Sequence, residues 1–141
     1  NQYQRERYFK KILKALPANA TVGIWGLSFK PRTDDMREAP SLDLIPLLLE
    51  AGHTVRVFDP IAMDNAKGMV KGEVTWSDNM MDAITDADAT ILLTEWDEFR
   101  GINLKKLKEV MKGNDLFDGR NIYDPEEVET AGLVYHGIGI V

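Results

Sequence analysis

Four basic side chains lie where phosphate chemistry could use them. Lys30, Arg32 and Arg37 fall in one segment, Gly26 to Glu38, and Arg120 falls in a second, Phe117-Asp118-Gly119-Arg120. Lysine and arginine hold phosphates through charge-assisted hydrogen bonds, so such a set can grip the diphosphate of a nucleotide. The first segment also carries Asp34, Asp35 and Glu38, which cancel its three positive charges. Two readings therefore stand together: an anion site, or a loop whose acids cap the next helix and pair with the arginines. A long ordered loop in a compact domain is usually functional, which tips the balance towards the first.

Other chemistries find less support. The chain has no cysteine, which removes disulfides, thiolate metal sites and a cysteine nucleophile. His53 and His136 are the only histidines, with no spaced carboxylate partner that suggests a metal site or a Ser-His-Asp set. No catalytic residue is assigned, and both histidines read as structural or exposed. Gly23 and Gly26 match the last two glycines of the dinucleotide fingerprint, but Thr21 stands where the first belongs. Asp59-Pro60 ends a strand as a ribose-binding acid would, yet it lies well past the ~20-residue spacing of that pattern. An autonomous NAD site is therefore disfavoured. A receiver-type phosphoacceptor fits worse, because its acceptor would end the third strand and Asp59 ends the second. Trp25 reads as core, whereas Trp96 could wall a pocket or pack beneath it.

The elements that must position these residues follow from apolar periodicity. Tyr8, Phe9, Ile12, Leu13 and Leu16 share one face of an opening helix that Pro17 and Asn19 stop. Strands are expected at 21–25, 54–58, near Val74, at 89–93, at 116–117 and at 133–135. Helices are expected from Ser41 to Gly52, at 62–67, 78–85, 104–111 and 125–130. Pro46 inside the second helix predicts a kink or a late start. Such alternation implies an α/β chain: a Rossmann-like, doubly wound, mostly parallel sheet with helices on both faces. Ligands of such sheets sit beyond the carboxyl ends of the strands, where the strand order reverses. Gly26 to Glu38, Thr94 to Phe99 and Phe117 to Arg120 all follow strands, so the three are expected to face one crevice.

The 141 residues suffice for a single core. Hydrophobic residues make up 44% and charged residues 28%, which is globular and not disordered composition. Lys plus Arg number 17 against 23 Asp plus Glu, a net charge of -6, which disfavours nucleic acid and anionic membrane as partners. No apolar run approaches the ~18 residues of a membrane-spanning helix. The first residue is Asn1 and not Met, and the polar start is no signal peptide, so a piece of a longer polypeptide is expected.

The stretch Gly26-Leu27-Ser28-Phe29-Lys30-Pro31, followed by Thr33-Asp34-Asp35-Met36-Arg37-Glu38-Ala39-Pro40-Ser41, resembles the C-terminal domain of the UDP-glucose 6-dehydrogenase family. Val57-Phe58-Asp59-Pro60, Leu93-Thr94-Glu95-Trp96 and Phe117-Asp118-Gly119-Arg120 agree, in the same order. Ser28 and Arg32 are mild departures. The resemblance implies a cytoplasmic oxidoreductase that converts the C6 hydroxyl of a UDP-sugar to a carboxylate, using NAD twice. It places the NAD and the cysteine nucleophile in an N-terminal domain, and makes residues 1–16 the end of a central linking helix. Residues 17–141 would then form the UDP-sugar-binding domain, inactive by itself, within a homodimer when complete. Phe29, Lys30 and Arg120 would contact the UDP-sugar, and Arg37 would reach the NAD held by the other domain. GDP-mannose or a UDP-N-acetyl sugar remains open as the substrate, as does a stand-alone nucleotide-binding or regulatory module.

Overall fold

The computed structural model describes residues 2–138. Its order is α1 (Gln2–Ala15), β1 (Thr21–Trp25), α2 (Pro40–Glu50), β2 (Thr54–Phe58), α3 (Met63–Lys67), β3 (Thr75–Trp76) and α4 (Met80–Ile84). Then come β4 (Ala89–Leu92), α5 (Asp97–Arg100), α6 (Leu104–Val110), β5 (Asp115–Asp118), α7 (Pro125–Thr130) and β6 (Val134–Gly137). The strands form one sheet in the order β3-β2-β1-β4-β5-β6, and every pairing is parallel. This is the doubly wound arrangement expected from the alternation, and its order reverses between β1 and β4.

The central strands are apolar on both faces because helices cover both. Val22, Ile24, Ile91 and Phe117 pack on one side with Ile12 of α1, with Leu44, Ile45 and Leu48 of α2, and with Ala66 of α3. Trp25, Leu92 and Leu116 pack on the other with Ile84, Phe99, Leu107 and Val128 of α4 to α7. The two sets alternate along each strand, as the pleat requires. Burial of each large aliphatic side chain contributes ~1.5–3 kcal/mol.

Gly23 decides how closely one helix approaches. A Cβ there would meet the Ala83 carbonyl oxygen and lie 2.6 Å from Ile84 Cγ2. This glycine therefore admits α4 to the face of β1, which is a packing role and not a phosphate role.

Some expectations shift. The helix expected at 78–85 begins at Met80, because Asn79 caps it by accepting from Asp82 N–H at 2.9 Å. The third strand is Thr75–Trp76, and the last is Val134–Gly137. α2 starts at Pro40 and runs through Pro46 to Glu50, so no late start occurs. The cap at Ala39 is backbone only, so neither Asp34 nor Asp35 serves as the expected helix cap.

Candidate functional site

β1 and β4 end side by side at the reversal, and the chain leaves both through tightly tied turns. Gly26 takes a φ of 95°, and a Cβ there would lie 2.5 Å from Thr94 Cβ. Only glycine allows the two strand ends to meet so closely. Thr94 is fully buried, and its hydroxyl donates to the Ser28 carbonyl at 2.6 Å. The Ser41 hydroxyl donates to the Leu27 carbonyl at 2.7 Å, which ties the start of α2 to the same turn.

Asp59, at the end of β2, organises the rest. Its Oδ2 accepts from the N–H groups of Leu27 at 2.7 Å and Ser28 at 3.1 Å, and from the Ser28 hydroxyl at 3.3 Å. Its Oδ1 accepts from Ile61 N–H at 2.9 Å and Ala62 N–H at 2.8 Å. The carboxylate is buried and its acceptor positions are occupied, so it holds the loop and does not face a ribose. With Gly23 assigned to helix packing and α2 beginning only at Pro40, the residues at this switch point do not fit a dinucleotide.

The loop so anchored presents Phe29 and Lys30. Phe29 N–H donates to the Asp35 carbonyl at 3.0 Å, closing residues 29–35 on themselves. Phe29, Lys30, Thr33, Asp35 and Arg37 line an open cleft of about 660 Å³. Phe29 also walls a second, smaller cavity of about 170 Å³, together with Arg5, Tyr8 and Phe9 of α1 and with Gly119 and Arg120. Phe29 and Arg120 thus meet in one cavity, Lys30 and Arg37 lie in the adjoining cleft, and Phe29 is the shared wall. The participation of α1 was not expected. Its signal was present in the apolar Tyr8-Phe9 pair, but a helical face alone reads as core.

The arginines are matched by acids. Arg37 grips Asp35 with Nε and Nη2, at 3.0 and 2.8 Å, and this hydrogen bonding lowers the Asp35 carboxyl to a pKa of about 2. Arg32 pairs with Asp97 at 3.6 Å, Arg5 with Asp43 at 3.2 Å, and Arg120 with Glu95 at 2.6 Å. Among the described residues Lys30 makes no ion pair; its ammonium lies 6.0 Å from the centroid of the Phe29 ring. The pairing reading of the loop therefore holds for Arg37 alone, since Arg32 finds its acid in α5, outside the loop, and Lys30 has no ion-pair partner among the described residues.

Gly119 and Arg120 sit at the end of β5. Gly119 N–H donates to the Leu92 carbonyl at 2.9 Å, and a Cβ at Gly119 would lie 2.7 Å from that oxygen. Buried Asp118 accepts from Arg120 N–H at 3.2 Å, Tyr123 N–H at 2.9 Å and the Tyr135 hydroxyl at 2.9 Å. Burial, and then the charge of Asp118, push the hydroxyls of Tyr8, Tyr123 and Tyr135 above the ordinary tyrosine range, so they stay protonated.

The histidines and tryptophans lie elsewhere. His53 Nδ1 accepts from Ala20 N–H at 3.0 Å, and His136 Nε2 bonds Asp115 at 2.9 Å while its ring stacks on Phe117. Trp25 and Trp96 are both buried in the second core cluster. No cluster of potential metal ligands occurs among the described residues.

Residues 23–125 match the UDP-binding domain of the UDP-glucose/GDP-mannose dehydrogenase family. The chain belongs to this family. It is 38% identical over 141 residues to the UDP-glucose 6-dehydrogenase TuaD of Bacillus subtilis, covering 99% of this chain and 31% of that protein. It is 38% identical over 147 residues to a UDP-glucose 6-dehydrogenase of Pseudomonas aeruginosa, covering 99% and 32%. A solved UDP-glucose dehydrogenase from Pyrobaculum islandicum superposes with a TM-score of 0.80 at 29% identity, covering 100% of this chain and 31% of that one. The chain therefore spans about a third of the length of these relatives. Within the UDP-glucose/GDP-mannose dehydrogenase family, the matched part is the UDP-binding domain. No described helix is long and apolar enough to cross a membrane.

Proposed function

We propose that this chain is the UDP-sugar-binding domain of an NAD-dependent, cytoplasmic UDP-glucose 6-dehydrogenase. Residues 17–141 form the binding domain and residues 1–16 the end of the helix that links it to an N-terminal NAD-binding domain, in a homodimer. The observation that carries this reading is the ring of Phe29 as the shared wall of two recesses, one lined by Lys30 and Arg37 beside Asp35 and Glu38, the other by Arg120. A diphosphate brings about two negative charges, and Lys30 and Arg120 supply charge-assisted donors for it, with Phe29 as an apolar wall. UDP-glucose is favoured over other nucleotide sugars by the 38% identity to UDP-glucose 6-dehydrogenases. A solved UDP-D-ManNAc dehydrogenase from Pyrococcus horikoshii is 26% identical.

In this reading NAD, held by the other domain, would supply the hydride acceptor; the commitment of Asp59 and Gly23 to the fold here supports that division. Arg37 would reach that NAD from the exposed lip of the open cleft, with Asp35 orienting its guanidinium. What this chain contributes is positioning. Uridine and diphosphate do not react, and holding them places the sugar C6 at the nucleophile, so remote binding energy lowers the barrier.

The test is Lys30→Ala in the complete polypeptide. Loss of a charged partner for the diphosphate should cost ~2–4 kcal/mol in transition-state stabilisation, or about 30- to 1000-fold in kcat/KM. An unchanged kcat/KM would remove Lys30 from the site.

A further inference from the structure

We propose that Glu95 is a positioning residue for Arg120, setting the guanidinium in the plane from which it meets a diphosphate. The proposal rests on the UDP-sugar reading above and adds the residue that makes Arg120 effective.

Most surface ion pairs contribute little, because two long side chains lose freedom to meet in water. Three features hold this pair in place. Glu95 is the most sheltered of the carboxylates that partner an arginine here: 23% exposed, against 37% for Asp35, 55% for Asp43 and 84% for Asp97. Its backbone is fixed on both sides, since Thr94 and Trp96 are buried, Leu93 N–H donates to Trp25 and Trp96 N–H donates to Thr94. The backbone of Arg120 is fixed as well, through Asp118 and through the bond from Gly119 to Leu92. Both ends are thus already ordered, and the 2.6 Å bond between Arg120 Nε and Glu95 Oε2 locks the one flexible part that joins them.

The chemistry of the guanidinium gives this lock a purpose. Its five N–H donors lie in one plane, and engaging Nε fixes the rotation of that plane. The paired Nη donors are then presented as a fork, the geometry that suits two phosphate oxygens. A negative carboxylate close to a dianion would otherwise oppose binding, so electrostatics and positioning make opposite predictions for its removal. Simple charge removal should tighten UDP binding. Loss of positioning should weaken it.

The experiment is calorimetric titration of the complete polypeptide with UDP, using wild type, Glu95→Ala, Glu95→Gln, Arg120→Ala and the Glu95→Ala/Arg120→Ala double variant. Glutamine keeps an oxygen acceptor for Nε–H without the charge. Glu95→Ala should raise Kd about 10-fold, the loss of one charged hydrogen bond, and Glu95→Gln should stay within about 3-fold of wild type. The double variant should bind no worse than Arg120→Ala, because Glu95 acts through Arg120. An unchanged or tighter Kd for Glu95→Ala, with Arg120→Ala weakened, overturns the role of Glu95 and leaves the UDP site standing. Equal weakening in Glu95→Ala and Glu95→Gln also overturns it. An unchanged Kd for Arg120→Ala overturns the assignment of Arg120 itself.

Discussion

Replacing Asp59 with asparagine probes the loop that carries Phe29 and Lys30 without changing side-chain size. The carboxylate accepts from Leu27 N–H, Ser28 N–H and the Ser28 hydroxyl on one oxygen, and from Ile61 and Ala62 N–H on the other. An amide can keep only one of these sets. The cheaper rotamer keeps the oxygen towards Leu27 and Ser28, and then turns its NH2 towards the N–H groups of Ile61 and Ala62. Each buried donor left without an acceptor costs ~1–3 kcal/mol, and Ile61 N–H is only partly buried, so the total is about 2–4 kcal/mol. Against a typical domain stability of ~5–15 kcal/mol this is large. Equilibrium urea unfolding reads it directly: the midpoint should fall by roughly 1–2 M at unchanged slope. A loss below ~1 kcal/mol would refute the claim that Asp59 holds the loop, and would reopen it as a ligand residue.

Gly23→Ala should destabilise by ~1–3 kcal/mol, because its Cβ would press on Ala83 and on Ile84 of α4; an unchanged thermal midpoint would contradict that packing role. Thr94→Val removes the hydroxyl that donates to Ser28 and should cost ~1 kcal/mol in denaturant unfolding, whereas a gain in stability would show the bond to be dispensable. The Asp35 carboxyl should titrate near pH 2 in the folded chain, below its unperturbed 3.8. Since its folded pKa is lowered, the contribution of the Asp35–Arg37 pair is complete above the unfolded value and fades as pH falls through about 2. Carboxyl carbon shifts followed by NMR should show that midpoint, and one at or above 3.8 would mean the pair does not persist in solution.

The fold was readable because its central strands are short apolar runs and its helices carry clear periodic faces. Ile91 and Leu92 are buried on opposite faces, as a covered parallel strand demands. The four-residue α5, Asp97–Arg100, leaves no mark in the sequence pattern, because one turn of helix has no period to detect and Trp96 gives it no side-chain cap. The convergence of the three strand-end segments could be inferred from topology, and the loops after β1, β4 and β5 do meet through the bonds joining Thr94 to Ser28 and Arg120 to Glu95. What spacing could not supply was the division of labour among the acids. Asp35 answers Arg37 two residues away, whereas Glu95 answers Arg120 from the loop after a different strand, and only the fold brings those two together. Asp59 illustrates the same point, since a strand-ending aspartate looks alike whether it faces a ribose or accepts bonds from a loop.

The central claim is that this domain, through Phe29, Lys30 and Arg120, holds the UDP part of the substrate. It is tested most directly by titrating the isotopically labelled chain separately with UDP, UDP-glucose and NAD while following backbone amide shifts, a method that tolerates millimolar affinity. The account predicts saturable shifts centred on Phe29, Lys30, Gly119 and Arg120 with both UDP ligands, and none at those residues with NAD. Shifts at those amides with NAD alone, or a UDP response confined to other surfaces, would contradict it.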